Sequence, residues 1–143
     1  MPDKKPILSA EKIIDVRFSE VDSMNIVWHG SYTFYFEDAR EEFGRRYGLE
    51  YLWIYDNGYY APIVELHFNY KHPLQYQHKA RVVITYRPTE AAKLIFDYAI
   101  YDLETGELAA TGYSVQVFVS LDQQLSLTLP SFFEEWKRKN GVL

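Results

Sequence analysis

A chain of 143 residues, 48% apolar and 17% aromatic, is long enough for one domain with a substantial core, and this composition excludes disorder. Its 20 acidic against 15 basic residues, a formal charge of −5, exclude a nucleic-acid partner, which needs a cationic stripe to displace counterions. The lack of cysteine removes disulfides, thiolate metal sites and cysteine nucleophiles.

The polar, proline-containing residues 1–11 read as a loose leader without an export signal, and no apolar run approaches a membrane span. The expectation is a cytoplasmic protein with one domain over residues 1–143. From Lys12 to Ser19, Ile14, Val16 and Phe18 alternate with Asp15, Arg17 and Ser19, which predicts a half-buried strand. A polar turn over 20–25 follows. Within 26–47 the period changes: Tyr32, Tyr35/Phe36, Ala39, Phe43 and Tyr47 form one helical stripe. Ser31 is placed to cap this helix, Gly48 to stop it, and Glu41–Arg45 and Glu42–Arg46 to pair along it.

A short helical turn is expected around Tyr51–Tyr55, then strands over Ala61–Tyr70, Lys79–Arg87, Lys93–Asp102 and Glu107–Leu121. The segment Asp102-Leu-Glu-Thr-Gly106 has hairpin-turn chemistry, with Gly106 for a positive φ. Pro130 opens a short helix over 130–143, with Phe132, Phe133 and Trp136 on its apolar side and Lys137-Arg138-Lys139 in its last turn. One apolar helix and one antiparallel sheet must bury each other, which makes the fold class α+β in two layers.

The segment richest in possible chemistry runs from Arg17 to Tyr32. It places Asp22 in the turn after a strand and His29 seven residues later, just before the helix. By residue type alone, a turn aspartate commonly bonds its own backbone, and a histidine beside a tryptophan is commonly packed or simply exposed. Three further histidines, His67, His72 and His78, show no metal-ligand spacing, so no metal is expected. Gly112-Tyr-Ser114-Val-Gln116 half-matches a nucleophile elbow but lacks the strand–turn–helix setting. Tyr47, Tyr51, Tyr55, Tyr59 and Tyr60 read as core or interface rings rather than an acyl pocket, and Glu37 and Arg40 as helix-face or interface partners.

The run Glu20, Asp22, Ser23-Met24-Asn25, Ile26-Val27, Trp28, His29, Ser31-Tyr32 resembles the signature of hot-dog-fold acyl-CoA thioesterases of the 4-hydroxybenzoyl-CoA thioesterase type. Phe34-Tyr-Phe-Glu37-Asp-Ala39-Arg40 is similar to that family's helix, and Phe96-Asp-Tyr98-Ala-Ile100 and Ala110-Thr-Gly112-Tyr-Ser114 to its last two strands. The resemblance covers Val16 to Pro130. It implies a five-stranded antiparallel sheet wrapped around a long central helix, with Asp22 as nucleophile or general base. The backbone N–H of His29 or its neighbour is the implied oxyanion donor, and the His29 side chain an orienting group. Trp28, Ser31 and Tyr32 are the implied substrate contacts. A thioester suits a lone carboxylate, because its carbonyl resonance is weak and its thiolate leaves readily.

Two departures from the family pattern stand out. Met24-Asn25 occupy the usual glycine of the turn, where asparagine best tolerates the left-handed region. No Arg or Lys lies between Leu121 and Pro130, so Arg87 and Lys93 are the remaining candidates for coenzyme A phosphates. An acyl-carrier-protein thioester is the other substrate form. The expected reaction is hydrolysis of a small or medium acyl thioester with no cofactor, coenzyme A being part of the substrate. A non-catalytic acyl-thioester binding module and a 3-hydroxyacyl thioester dehydratase are the alternatives. Resemblance further implies a homodimer or homotetramer, with Ala61–Tyr70 as the strand edge that pairs.

Overall fold

The computed structural model describes residues 5–143. In chain order it contains β1 (Ser9–Asp15), α1 (Tyr32–Tyr47), α2 (Tyr51–Asp56), β2 (Tyr59–Tyr60), β3 (Ile63–Tyr70), β4 (Lys79–Arg87), β5 (Lys93–Asp102), β6 (Leu108–Val117), β7 (Val119–Ser120) and α3 (Ser131–Lys139). Single 3₁₀ turns at Phe18–Glu20 and His29–Ser31 flank the loop that precedes α1. Five strands form one antiparallel sheet in the order β1-β4-β5-β6-β3, and β2 pairs with β7 apart from it. This is the expected antiparallel five-stranded sheet with a long helix packed against it.

Period 2 is visible along β4 and β5. Ala80, Val82, Ile84 and Tyr86, with Leu94, Phe96, Tyr98 and Ile100, are buried under α1, while the residues between them are only partly covered. The helix answers with Tyr32, Tyr35, Phe36, Ala39 and Phe43, all buried as the stripe predicts. Phe36 stacks on Tyr98 with ring centres 4.0 Å apart, and Phe43 meets Phe96 edge-on at 4.8 Å. Gly112 makes the first contact possible: a Cβ there would lie 2.8 Å from the Phe36 ring. At the far end Trp136 of α3 donates its indole N–H to the Tyr47 carbonyl at 2.8 Å and closes the core.

Several boundaries differ from the sequence reading. The first strand starts at Ser9, inside the stretch read as a loose leader, and ends at Asp15 rather than Ser19. Its partner sets both limits: Ser9 pairs with Thr85 and Asp15 with Lys79, where β4 begins. Phe18 consequently lies outside the sheet, 74% exposed and edge-on to Tyr76. Residues 1–4 of that leader lie outside the described residues. The strand expected over Ala61–Tyr70 begins at Ile63, after Pro62, and the last one divides at the fully buried Phe118.

Gly48 ends α1 at φ 72°, as expected, but Ser31 does not cap it through its side chain. Arg45 takes both Glu41, at 3.3 Å, and Glu42, so Arg46 lies instead over the Tyr47 ring. Lys137 is not a solvated end charge: it is buried and donates to the Thr89 carbonyl at 2.7 Å.

Candidate active site

Asp22 sits at the tip of a small hairpin folded over the start of α1. Trp28 N–H donates to the Glu20 carbonyl at 2.8 Å, Val21 bridges Val27, and Asp22 N–H donates to the Ile26 carbonyl at 2.8 Å. The tip closes with Asn25 N–H on the Asp22 carbonyl at 3.0 Å, and Asn25 takes φ 64°. The turn therefore survives without glycine, as expected for asparagine. Met24 points outward, 70% exposed.

The Asp22 carboxylate is half-buried and has two unlike oxygens. Oδ1 accepts the Met24 N–H at 2.8 Å, the backbone bond common to turn aspartates. Oδ2 has no partner among the described residues, and no cation pairs with the group there.

Glu20 holds the hairpin to the helix. Its carboxylate accepts the Arg17 N–H at 2.8 Å and the Tyr35 hydroxyl at 2.9 Å, and its carbonyl also accepts the Ser31 hydroxyl at 3.1 Å. Burial, reinforced by the Glu20 carboxylate, pushes the Tyr35 phenol far above its ordinary range, so it remains a donor. A second layer comes from the 70–78 segment: Val27 N–H reaches the Leu74 carbonyl at 2.8 Å, and Tyr70 hydroxyl reaches the His29 carbonyl at 2.9 Å. His78, in turn, is held by the buried Asp102 at 2.9 Å.

The sequence-predicted residues divide into three groups. Asp22, Trp28, His29, Ser31 and Tyr32 share the hairpin and the helix start. Trp28 and His29 are exposed there, their rings 4.8 Å apart, and Trp28 folds over Gly30, where a Cβ would strike its ring at 2.2 Å. Ser31 is buried with its hydroxyl committed to Glu20, and Tyr32 is buried edge-on to Tyr35 and Tyr70.

Arg87 and Lys93 stand apart, at the opposite end of the sheet. The hairpin that carries Asp22 meets residues 75–76, just before the Lys79 end of β4, and eight strand rises separate that end from Arg87, about 26 Å. Arg87 is also bound to Asp97 through two donors and lies over the Tyr113 ring at 5.2 Å. The three other histidines disperse, His67 stacking on Tyr113, His72 pairing with Glu107 and His78 with Asp102.

Among the described residues the N–H groups of His29 and Gly30, at the head of the 3₁₀ turn leading into α1, meet no acceptor. Unpaired amides beside a helix start carry partial positive charge and can hold an oxyanion. A groove of about 1090 Å³ lies further along, between α1 and α2 on one side and β3, β5 and β6 on the other. Phe43, Ile54, Tyr60, Leu94, Phe96 and Gln116 are among its lining residues. The signature includes Glu20 without a role, and nothing in the sequence signals Tyr70; of the tyrosines read as core or interface rings rather than an acyl pocket, Tyr51 and Tyr60 line the groove.

Comparison with known proteins identifies the family and the fold. The family model described as the thioesterase-like superfamily matches residues 16–137. A Bacillus subtilis (strain 168) protein, YneP, named provisionally as an acyl-CoA thioesterase, is 28% identical over 127 residues, 89% of this chain and 91% of that protein. The crystal structure of a DHNA-CoA thioesterase from Staphylococcus aureus superposes with a TM-score of 0.82 at 28% identity, covering 91% of this chain and 87% of the other. Slr0204 of Synechocystis, a 1,4-dihydroxy-2-naphthoyl-CoA thioesterase, has the same fold, with a TM-score of 0.77 at 18% identity over 92% and 95% of the two chains.

Proposed function

We propose that this chain, which belongs to the thioesterase-like superfamily, hydrolyses an acyl-CoA to the free acid and coenzyme A with Asp22 as the reacting carboxylate. The observation that carries the assignment is the half-buried Asp22, with one oxygen fixed by Met24 N–H and the other open, on the hairpin that leads to unpaired amides at the helix start. In one form of the reaction, Oδ2 attacks the thioester carbonyl carbon, the C–S bond breaks, and water hydrolyses the resulting anhydride. In the other, the carboxylate takes a proton from water, the oxygen attacks the same carbon, and the proton leaves on the departing thiolate. Both pass through an oxyanion, for which the His29 and Gly30 amides are the donors in this reading. His29 orients substrate or water through its exposed ring. No cofactor enters either route.

The active unit is a two-fold dimer joined along β3. This strand is one edge of the sheet, and it leaves Val64 59% exposed. Within one chain, the Tyr70 end of β3 touches the helix start through His29, whereas its Ile63 end borders the groove. Antiparallel pairing of two copies of β3 sets the Tyr70 end of each beside the Ile63 end of the other. Each Asp22 end then meets the other copy's groove, and the acyl group lies in that groove.

A thiol-release assay on a panel of small and medium acyl-CoAs, with the same acyl groups on acyl carrier protein, tests the assignment. The expected result is turnover of at least one coenzyme A ester that disappears in Asp22→Asn. Turnover of carrier-protein esters alone would reassign the thiol arm, and binding without thiol release would make the chain an acyl-thioester binding module.

A further inference from the structure

The two free amides ahead of α1 belong to peptide planes that are held in different ways. A trans peptide sets its carbonyl and its N–H on opposite sides, so a donor that grips the carbonyl also aims the N–H. The Trp28 carbonyl accepts the Ser31 N–H at 2.8 Å, a bond local to the turn that holds the plane of the His29 N–H. The His29 carbonyl accepts the Tyr70 hydroxyl at 2.9 Å, so the plane of the Gly30 N–H is held from 41 residues away. Turns of 3₁₀ type bond with poor geometry on their own, and an outside donor steadies them. The Tyr70 ring is itself fixed, edge-on to Tyr32 with centres 5.1 Å apart and parallel to Phe68 at 5.9 Å, and Phe68 stacks on Phe36 at 4.8 Å. Partial burial raises the Tyr70 phenol above its ordinary range, which keeps it a donor.

We propose that Tyr70 is a positioning residue for thioester hydrolysis, holding the His29–Gly30 peptide so that the Gly30 N–H meets the oxyanion. The inference rests on the thioesterase reading and deepens it by naming a residue that acts through the backbone rather than on the substrate. Two effects combine. Orientation is the larger, because an oxyanion donor is effective only when already aimed at the place where charge develops. Polarisation adds to it, since a carbonyl that accepts a hydrogen bond makes the N–H of the same peptide a better donor. The end of β3, paired there with Ala110 of β6, gives the turn an anchor in the sheet.

The test uses the full chain and the coenzyme A ester that it turns over fastest in the thiol-release panel. Tyr70→Phe keeps the packed ring and removes only the hydroxyl of a half-exposed residue. It is expected to lower kcat about tenfold, less than outright loss of an oxyanion donor, with KM within about twofold of the parent and melting within a few degrees. A second variant carries a ring-fluorinated tyrosine in place of Tyr70, with a phenol that ionises near neutral pH. While protonated it still donates and should turn over at the parent rate. Once ionised it can only accept, and its kcat should fall to the Tyr70→Phe level while the parent, compared at each pH, does not. A merely structural contact would produce no such limb. Equal kcat in Tyr70→Phe and the parent overturns the role of Tyr70 and leaves the thioesterase reading intact. So does a fluorinated variant whose kcat, relative to the parent, is flat with pH, and so does a loss carried wholly by KM, which would make Tyr70 a substrate contact. No hydrolysis of any ester by the parent overturns both readings.

Discussion

At Asp22 the demands of the turn and of the proposed chemistry fall on different oxygens. Oδ1 is engaged by Met24 N–H, and Oδ2 is free for a carbonyl carbon or a water proton. Asp22→Asn can keep the turn bond through its amide oxygen while losing basicity and nucleophilicity. It is expected to melt within a few degrees of the parent and to lose about 10²–10⁴-fold in kcat, measured by thiol release. His29→Ala should cost less, since the backbone amide is unchanged. Glu20 presents the reverse case, a carboxylate that holds structure rather than reacting. Glu20→Ala strands the Tyr35 hydroxyl and the Arg17 amide, at a cost of about 1–3 kcal/mol in urea unfolding. Its kcat should fall as the hairpin loosens, and Glu20→Gln, which still accepts both bonds, should restore most of it.

At the scale of elements, two positions hold left-handed backbone for different purposes. Asn25, at φ 64°, turns the Asp22 hairpin, and Gly48, at φ 72°, ends α1. Asn25→Gly is expected to leave stability nearly unchanged, whereas Asn25→Val, β-branched in that conformation, should cost about 1–2 kcal/mol and lower activity with it. Thermal melts of both variants, with kcat measured alongside, check this. Residue patterns made the polar turn and the order of elements legible, alternation revealed β4 and β5, and the resemblance singled out Asp22. The ends of β1 were not legible, because they depend on where β4 begins, some seventy residues later. The inward turn of the Ser31 hydroxyl was hidden for a similar reason: its acceptor, the Glu20 carbonyl, is presented by the fold of the hairpin.

For the whole molecule, the core between sheet and helix carries buried phenols that link stability to alkaline pH. Burial holds the Tyr98 pKa at about 12, outweighing the Ser114 hydrogen bond that pulls the other way, and burial pushes Tyr86 to about 12 as well. An unfolded tyrosine ionises near 10, so the folded state binds these protons more tightly. The resulting stability is whole below pH 10 and is lost as pH rises through 12. For Tyr98 it amounts to about 2–3 kcal/mol. Urea unfolding at pH 9 and pH 11.5 should show the fall, and Tyr98→Phe should make it shallower. Assembly is the other property of this scale. Light scattering at micromolar concentration is expected to give at least twice the mass of one chain, and Val64→Lys on the exposed edge should shift it toward the monomer with loss of turnover. A fully active monomer would rule out the shared site.

The sequence by itself determined what depends on neighbours along the chain: the strand and helix periods, the turn at Asn25, the stop at Gly48 and the carboxylate beside the helix start. These follow from local backbone preference and from which side chains share a face. Only the tertiary structure decided which polar groups are satisfied by others far away in sequence. It tied Arg87 to Asp97, buried Lys137 against Thr89, bound Tyr70 to His29 and left the Gln116 oxygen without a donor among the described residues. Hydrogen bonding and burial are properties of the packed chain, since each depends on where the fold places a partner and excludes water.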